Sequence, residues 1–167
     1  GLVLVAVSKY LTKLAKEGVR IRIVGDRSAV SDKVREAWDQ AERATAHNHR
    51  ITLSVAFNYG GRWDVVQAAR RALADGVAAA DLDEDTLARY LAMNYAPDPD
   101  LFIRTGGEVR ISNFLLWQVA YSELYFSDCL WPDFGEAELD AALAAFRARD
   151  RRFGGVAAAT TALVASA

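Results

Sequence analysis

The stretch Val19-Arg20-Ile21-Arg22-Ile23-Val24 alternates apolar and basic residues and ends at Gly25-Asp26. Such alternation is typical of a β-strand with one buried face. A second β-rich run spans Ile51 to Phe57, and between the two runs Ser31 is placed to cap a helix that extends to about Thr45. This order of strand, helix and strand predicts an α/β fold with a central, mostly parallel sheet flanked by helices.

The rest of the chain continues the alternation of helices and strands. Further helices are predicted at residues 2–17, 63–74, 83–90, 112–126 and 136–146, and a short buried strand at 101–103. Because there is no internal repeat or linker, residues 1–155 are expected to form a single domain. The Ala-, Thr- and Ser-rich residues 156–167 are expected to fray.

Composition and charge exclude several classes of protein. The 167 residues include 20 basic and 22 acidic side chains, a formal net charge of −2, and 52% of them are hydrophobic. These values fit a globular protein and not a nucleic-acid binder that depends on net positive charge. Cys129 is the single cysteine, which excludes an intramolecular disulfide and favours a reducing, cytoplasmic setting. No apolar run approaches the ~20 residues of a membrane-spanning helix.

The most informative candidate site follows the predicted strand at 101–103. Arg104 and Arg110 bracket a turn that contains Gly106-Gly107, and Ser112-Asn113 opens the next predicted helix. Two guanidinium groups, a hydroxyl and the free N–H groups of a helix start favour an anionic ligand, and diphosphate is the class that fits best. The alternative is a structural loop whose arginines form salt bridges.

Glu123 stands among apolar residues of the predicted helix at 112–126. A carboxylate in such surroundings needs an arginine, a metal ion or solvent as its partner. Oxygen ligation would favour magnesium, especially beside a phosphate, whereas a salt bridge on the helix face is the plainer alternative.

Several longer motifs carry a resemblance to a known family. They are Asn58–Asp64 (Asn-Tyr-Gly-Gly-Arg-Trp-Asp), Asp100–Glu108, Arg110–Gln118, Glu123–Phe134 and Arg151–Gly155. From about Leu2 to Gly155 the sequence resembles the cis-prenyltransferases, above all the bacterial undecaprenyl diphosphate synthases. The resemblance implies the fold of that family and a magnesium-dependent reaction. In that reaction isopentenyl diphosphate condenses with an allylic diphosphate, farnesyl diphosphate, to give a cis-polyprenyl diphosphate for the lipid carrier of cell-wall synthesis.

The resemblance also implies roles for individual residues. The residues that would bind isopentenyl diphosphate are Arg104, Arg110, Ser112, Arg152 and Gly154. The last two belong to a C-terminal motif that contributes to the neighbouring subunit's site in a homodimer.

Further roles follow from the same resemblance. Glu123 would be a magnesium ligand that acts across the dimer interface, and Asp64 matches a polar position near the active site. Four apolar residues would line the tunnel for the growing chain, with core packing as their alternative: Leu4, Val7, Ile51 and Leu53.

The sequence departs from the family on its N-terminal side. The family's phosphate-binding loop reads His-Xaa-Met-Asp-Gly-Asn-Gly-Arg-Trp and carries the catalytic aspartate, and these 167 residues contain no match to it. The chain alone is therefore expected to be catalytically incomplete. Two alternatives stay open, a non-catalytic partner subunit of a heteromeric cis-prenyltransferase and a generic phosphate-binding α/β domain. The expected location is cytoplasmic or peripheral at the membrane, with no nucleic-acid partner.

Overall fold

The structure, a computed structural model, describes residues 13–28 and 30–149. Residues 13–16 are helical. The elements that follow are β1 (Val19–Val24), α1 (Asp32–Thr45), β2 (Ile51–Ala56), α2 (Gly61–Ala74), α3 (Glu84–Ala88), β3 (Leu101–Arg104), β4 (Glu123–Phe126) and α4 (Glu136–Arg147), with 3₁₀ turns at Ala79–Asp81 and Trp131–Asp133. The chain divides into two compact units. The first contains residues up to Pro97 together with Ser112–Trp117, and the second contains Asp98–Ile111 and residues from Gln118 onward.

The first unit is built on the parallel pair β1–β2. Their register runs from Val19 opposite Ile51 to Val24 opposite Ala56. Helix α1 crosses between them, and its Trp38 packs with Ile21 and Ile23 in a buried cluster. Side chains of α1 also satisfy the backbone of β1, because the Ile21 amide donates to the Thr45 hydroxyl over 3.0 Å. The predicted strand–helix–strand order of this region is confirmed.

The second unit contains the parallel pair β3–β4, in register from Leu101 opposite Glu123 to Arg104 opposite Phe126. The buried Phe102 side chain belongs to β3. The ladder continues past the strand ends, since the Ser127 amide donates to the Arg104 carbonyl over 2.8 Å. Both strand pairs are parallel, so the predicted α/β class with parallel strands is confirmed. In the described part of the chain, the hydrogen-bonded strands form these two pairs.

The helix predicted at residues 112–126 is wrong. Residues 112–121 form turns, and 123–126 form strand β4. Ser112, Asn113 and Leu115 have φ values of 47°, 63° and 48°. Backbone in this left-handed region cannot continue a right-handed helix, and the apolar spacing of the sequence does not reveal it. The helix predicted at 83–90 is shorter than expected, because α3 ends at Ala88.

Several predictions concern residues outside the described part of the chain. The candidate tunnel residues Leu4 and Val7 and the candidate substrate-binding residues Arg152 and Gly154 fall there, as do most of the helix expected at 2–17 and the C-terminal tail. A single domain over residues 1–155 stays a prediction.

Candidate active site

The arginine loop, Arg104–Arg110, connects the end of β3 to the rest of the chain. Gly106 and Gly107 have φ values of 88° and 72°, which favour glycine because it has no Cβ. Their amides donate to the carbonyl oxygens of Cys129, over 2.8 Å, and Ser127, over 3.0 Å. The two glycine amides thus attach the loop to the segment that follows β4. The two arginines lie at the two ends of the loop.

The two arginines of the loop differ in their contacts. Nη1 of Arg104 donates to the carbonyl oxygen of Arg110 over 2.6 Å, and the Arg110 guanidinium forms an ion pair with Glu108. The side chains of Arg110 and Glu108 are 62% and 43% exposed, and such an ion pair is worth little in water. The loop therefore contains the salt bridge of the structural alternative. Binding of an anion by the two arginines stays a prediction.

Glu123 lies at the first position of β4, not within a helix. One of its carboxylate oxygens, Oε2, is 3.4 Å from Nη1 of Arg149, and its side chain is 24% exposed. Of the three partners that the sequence left open, the described residues thus provide the arginine.

Glu123 is the carboxylate that the resemblance assigns to a magnesium ion, and its binding of the ion stays a prediction. The described residues contain no cluster of three or more His, Cys, Asp or Glu side chains that could hold a metal. Magnesium often takes only one or two carboxylates and fills its remaining positions with phosphate oxygens and water. A single carboxylate such as Glu123 is compatible with that mode of binding.

In the first unit, the segment Asn58–Asp64 leads from β2 into α2. The cap position of α2 is Gly60, which has no side chain to accept a hydrogen bond from the first turn. Asn113 supplies both missing acceptors. Its carbonyl oxygen accepts from the Gly61 amide over 2.7 Å, and its side-chain Oδ1 accepts from the Arg62 amide over 2.9 Å. We call this arrangement the α2 clamp.

The α2 clamp brings Asn113 and Leu116 close to the two glycines at the start of the helix. A Cβ on Gly60 would lie 2.6 Å from Nδ2 of Asn113. One on Gly61 would lie 2.6 Å from Cγ of Leu116 and 2.8 Å from its backbone nitrogen. At Gly61 the two segments therefore approach each other more closely than any other residue type would allow. A cavity of about 330 Å³ lies there, lined by Arg62, Ser112, Asn113 and Leu116.

Asp64 is buried in the first turn of α2, with 1% of its surface exposed. Its Oδ2 accepts from the Tyr59 hydroxyl over 2.8 Å, and its Oδ1 accepts from the Ala92 amide over 2.8 Å. Both carboxylate oxygens are thus engaged within the first unit. The observed contacts give Asp64 a structural role, and a role near the active site stays a prediction.

The candidate tunnel residues Ile51 and Leu53 lie on β2, with 59% and 38% of their surfaces exposed. Their register partners on β1, Val19 and Ile21, are buried. The alternative of core packing does not hold for Ile51 and Leu53 in the described residues, because both are open to solvent. Lining of a tunnel stays a prediction.

Two residues that follow β1, Asp26 and Arg27, are both engaged in polar contacts. Hydrogen bonding to the Ser28 side chain, and to the Ser28 amide over 2.9 Å, lowers the pKa of the Asp26 carboxyl. Arg27 borders a cavity of about 550 Å³, but its guanidinium is paired with Asp39 at 2.6 Å and Glu42 at 2.8 Å. These ion pairs make Arg27 a link between β1 and α1 and not a free anion ligand.

Sequence reasoning missed the role of Asn113. A signal was present, because a helix that begins with Gly60-Gly61 has no local side chain for its first amides. The sequence did not indicate which distant residue would supply the acceptor.

Comparisons with known proteins place the chain in a family. A family model described as "Putative undecaprenyl diphosphate synthase" matches residues 2–154. An isoprenyl transferase of Neisseria gonorrhoeae is 53% identical over 154 residues, which are 92% of this chain and 61% of that protein. A Pseudomonas aeruginosa protein named ditrans,polycis-undecaprenyl-diphosphate synthase, (2E,6E)-farnesyl-diphosphate specific, is 52% identical over 157 residues, 92% of this chain and 62% of that protein.

Solved structures show the same fold. A probable undecaprenyl diphosphate synthase from Campylobacter jejuni superposes with a TM-score of 0.83 at 37% identity and covers 92% of this chain and 71% of that one. Lavandulyl diphosphate synthase from Lavandula x intermedia, in complex with dimethylallyl diphosphate, gives a TM-score of 0.79 at 38% identity, covering 87% and 67%.

The chain belongs to the undecaprenyl diphosphate synthase family of cis-prenyltransferases. It spans about 60% of the length of the curated relatives that it matches. Within the described residues, none of the helices has the length and apolar character needed to cross a bilayer.

Proposed function

We propose that the chain acts in the condensation of isopentenyl diphosphate with an allylic diphosphate, farnesyl diphosphate, to form undecaprenyl diphosphate for cell-wall synthesis. The observation that carries the proposal is the arginine loop, in which two guanidinium groups stand at the ends of a glycine turn bound to the chain after β4. The name of the Pseudomonas aeruginosa relative, which specifies farnesyl diphosphate, supports the choice of primer and product.

The proposed chemistry assigns the diphosphate of isopentenyl diphosphate to three residues of the described chain. Arg104 and Arg110 provide planar guanidinium groups that pair with phosphate oxygens in a bidentate manner, and Ser112 provides a hydroxyl donor. When the diphosphate binds, Arg110 exchanges its exposed pair with Glu108 for a stronger pair with phosphate. Arg152 and Gly154 complete the site across a homodimer.

The reaction separates a diphosphate from an allylic carbon that gains cationic character. Positive groups near the phosphates lower the energy of this charge separation, and apolar walls exclude water from the cation. A magnesium ion bound with Glu123 would supply further positive charge to the diphosphate. Leu4, Val7, Ile51 and Leu53 would form part of the apolar wall, which fits the exposure of Ile51 and Leu53.

The location that suits this function is the cytoplasm or the adjacent membrane surface. Both proposed substrates are charged diphosphates that dissolve in water, whereas the proposed product carries a long apolar chain that enters a bilayer.

Replacement of Arg104 tests the proposed site. We expect Arg104→Ala to weaken binding of isopentenyl diphosphate in the presence of Mg²⁺ by about 100-fold, the size of a lost charge-assisted pair. The affinity is measured by isothermal titration calorimetry, and circular dichroism should show an unchanged fold because the Arg104 side chain is only partly buried. Arg147→Ala, which removes an exposed arginine at the end of α4, is the matched control. Equal affinities for the two variants would refute the assignment of the site.

Turnover tests the reaction itself. Incorporation of labelled isopentenyl units into an extractable polyprenyl diphosphate, with farnesyl diphosphate and Mg²⁺ present, would support the synthase. Tight binding of isopentenyl diphosphate with turnover only after addition of a second, different chain would instead support a partner subunit.

A further inference from the structure

The cavity at the α2 clamp contains a basic side chain to which the family resemblance assigned no role. Arg62 and Ser112 line this cavity together with Asn113 and Leu116. None of the four lining residues is acidic. Across the described residues, 13–28 and 30–149, the Arg62 guanidinium takes part in none of the ion pairs. Among the described residues, its positive charge is therefore balanced by no ion pair.

The start of α2 cannot itself bind an anion through its first two amides. The Gly61 amide donates to the Asn113 carbonyl oxygen, and the Arg62 amide donates to the Asn113 side chain. An anion in the cavity would instead meet the Arg62 guanidinium and the Ser112 hydroxyl. The positive end of the 14-residue helix α2 adds a favourable potential at the same place.

Asn113 determines where Arg62 stands relative to Ser112. It follows Ser112 directly in the chain, and its side-chain Oδ1 accepts a hydrogen bond from the Arg62 amide over 2.9 Å. The positive φ values of Ser112 and Asn113, 47° and 63°, fold this segment against the helix start. Asparagine tolerates this conformation better than most residues. One side chain thus links a residue of the proposed diphosphate site to a residue of α2.

We propose that Arg62 is a further diphosphate-binding residue and that Asn113 is the positioning residue that holds it beside Ser112. The inference rests on the proposed function, because it takes the diphosphate of isopentenyl diphosphate as the anion. Arg62 contributes a bidentate pair to a phosphate group that also accepts a hydrogen bond from the Ser112 hydroxyl. Asn113 acts through Arg62 and does not touch the ligand.

The first test changes the charge at Arg62 and leaves the clamp in place. The variant Arg62→Gln keeps the amide that donates to Asn113 and loses the guanidinium. Arg70→Gln, an exposed position on the same helix, makes the same charge change elsewhere. With Mg²⁺ and constant ionic strength, we expect Arg62→Gln to weaken the binding of isopentenyl diphosphate and of inorganic diphosphate by about 10-fold or more. Arg70→Gln should change neither affinity by more than about 2-fold.

The second test releases the clamp and leaves the charge in place. Asn113→Gly keeps the positive φ and the backbone acceptor for Gly61, and removes only the side-chain acceptor for Arg62. We expect faster hydrogen exchange at the Arg62 amide and about 3- to 10-fold weaker binding of isopentenyl diphosphate. Asn113→Asp retains the acceptor oxygen and should restore the protection of that amide. When Arg62→Gln is already present, Asn113→Gly should cause no further loss of affinity, because the guanidinium that Asn113 positions is absent.

The outcomes separate this inference from the proposed function. Tight binding of isopentenyl diphosphate by the unchanged chain, with equal losses in Arg62→Gln and Arg70→Gln, would overturn the role of Arg62 and leave the proposed function intact. A further loss from Asn113→Gly in the Arg62→Gln background would overturn the positioning role of Asn113. Failure of the unchanged chain to bind either isopentenyl diphosphate or inorganic diphosphate would overturn the proposed function, and the inference with it.

Discussion

The segment Asn58–Asp64 and the arginine loop both follow a parallel strand and contain a Gly-Gly pair, yet their polar side chains differ in burial. At the start of α2, the carboxylate of Asp64 is buried and both of its oxygens accept hydrogen bonds. In the arginine loop, the Arg110 and Glu108 side chains are exposed to solvent and form an ion pair with each other. Buried, satisfied polar groups stabilise one folded arrangement, whereas exposed charges remain free to exchange partners. The first region therefore supports the fold, and the exposure of the second is compatible with the ligand binding proposed for it.

The largest expected effect comes from Asp64. Asp64→Ala leaves the Tyr59 hydroxyl and the Ala92 amide without their acceptor in a buried place, which should lower the free energy of unfolding by about 3 kcal/mol. Urea denaturation measures this change. Tyr59→Phe removes only one of the two hydrogen bonds and should cost about 1 kcal/mol. If Asp64→Ala proved as stable as the unchanged chain, the structural role assigned to this carboxylate would be refuted.

Glycine replacements sharpen the contrast between the two turns. Gly61→Ala places a Cβ against Leu116, including its backbone nitrogen, and should cost about 2 kcal/mol because the backbone itself must move. Gly106→Ala meets no atom within 4 Å, so the φ of 88° is its only source of strain, and it should cost about 1 kcal/mol. Thermal unfolding of the two variants compares them directly. If Gly106→Ala proved less stable than Gly61→Ala, the close contact with Leu116 would not be the reason for a glycine at position 61.

The smallest expected effect concerns Glu108. Glu108→Gln breaks the ion pair with Arg110, whose side chains are 43% and 62% exposed. Such pairs contribute little, so the free energy of unfolding should change by less than about 0.5 kcal/mol. Urea denaturation again provides the measurement. A loss as large as that of Asp64→Ala would show that the arginine loop stabilises the fold as strongly as the buried Asp64 carboxylate does.

Local patterns in the sequence predicted most of the secondary structure. The alternation at Val19–Val24 and the run from Ile51 predicted β1 and β2, because one buried face produces a regular pattern. The segment from Ser112 was misassigned as a helix, since apolar composition does not report the sign of φ. Glu123 was consequently placed in a helix and not at the start of β4.

The residues of the candidate site were predicted with uneven success. The glycine turn between Arg104 and Arg110 could be predicted because turn and charges are neighbours in sequence. The sequence left an arginine, a metal ion and solvent open as the partner of Glu123. The arginine could not be identified, because Arg149 follows α4 and is distant from Glu123 in the chain. The contact of Asn113 with Arg62 was missed altogether, since nothing local to either residue reports a hydrogen bond between them.

The α2 clamp also has a consequence for the order of events during biosynthesis. Arg62 and Asn113 are separated by 51 positions in the chain. A ribosome that adds ~5–20 residues per second needs roughly 3 to 10 s to cover that interval. Throughout this time the beginning of α2 exists without its cap, and the nascent helix can only fray and reform at that end. Its final boundary is therefore set late, by a residue translated long after the helix itself.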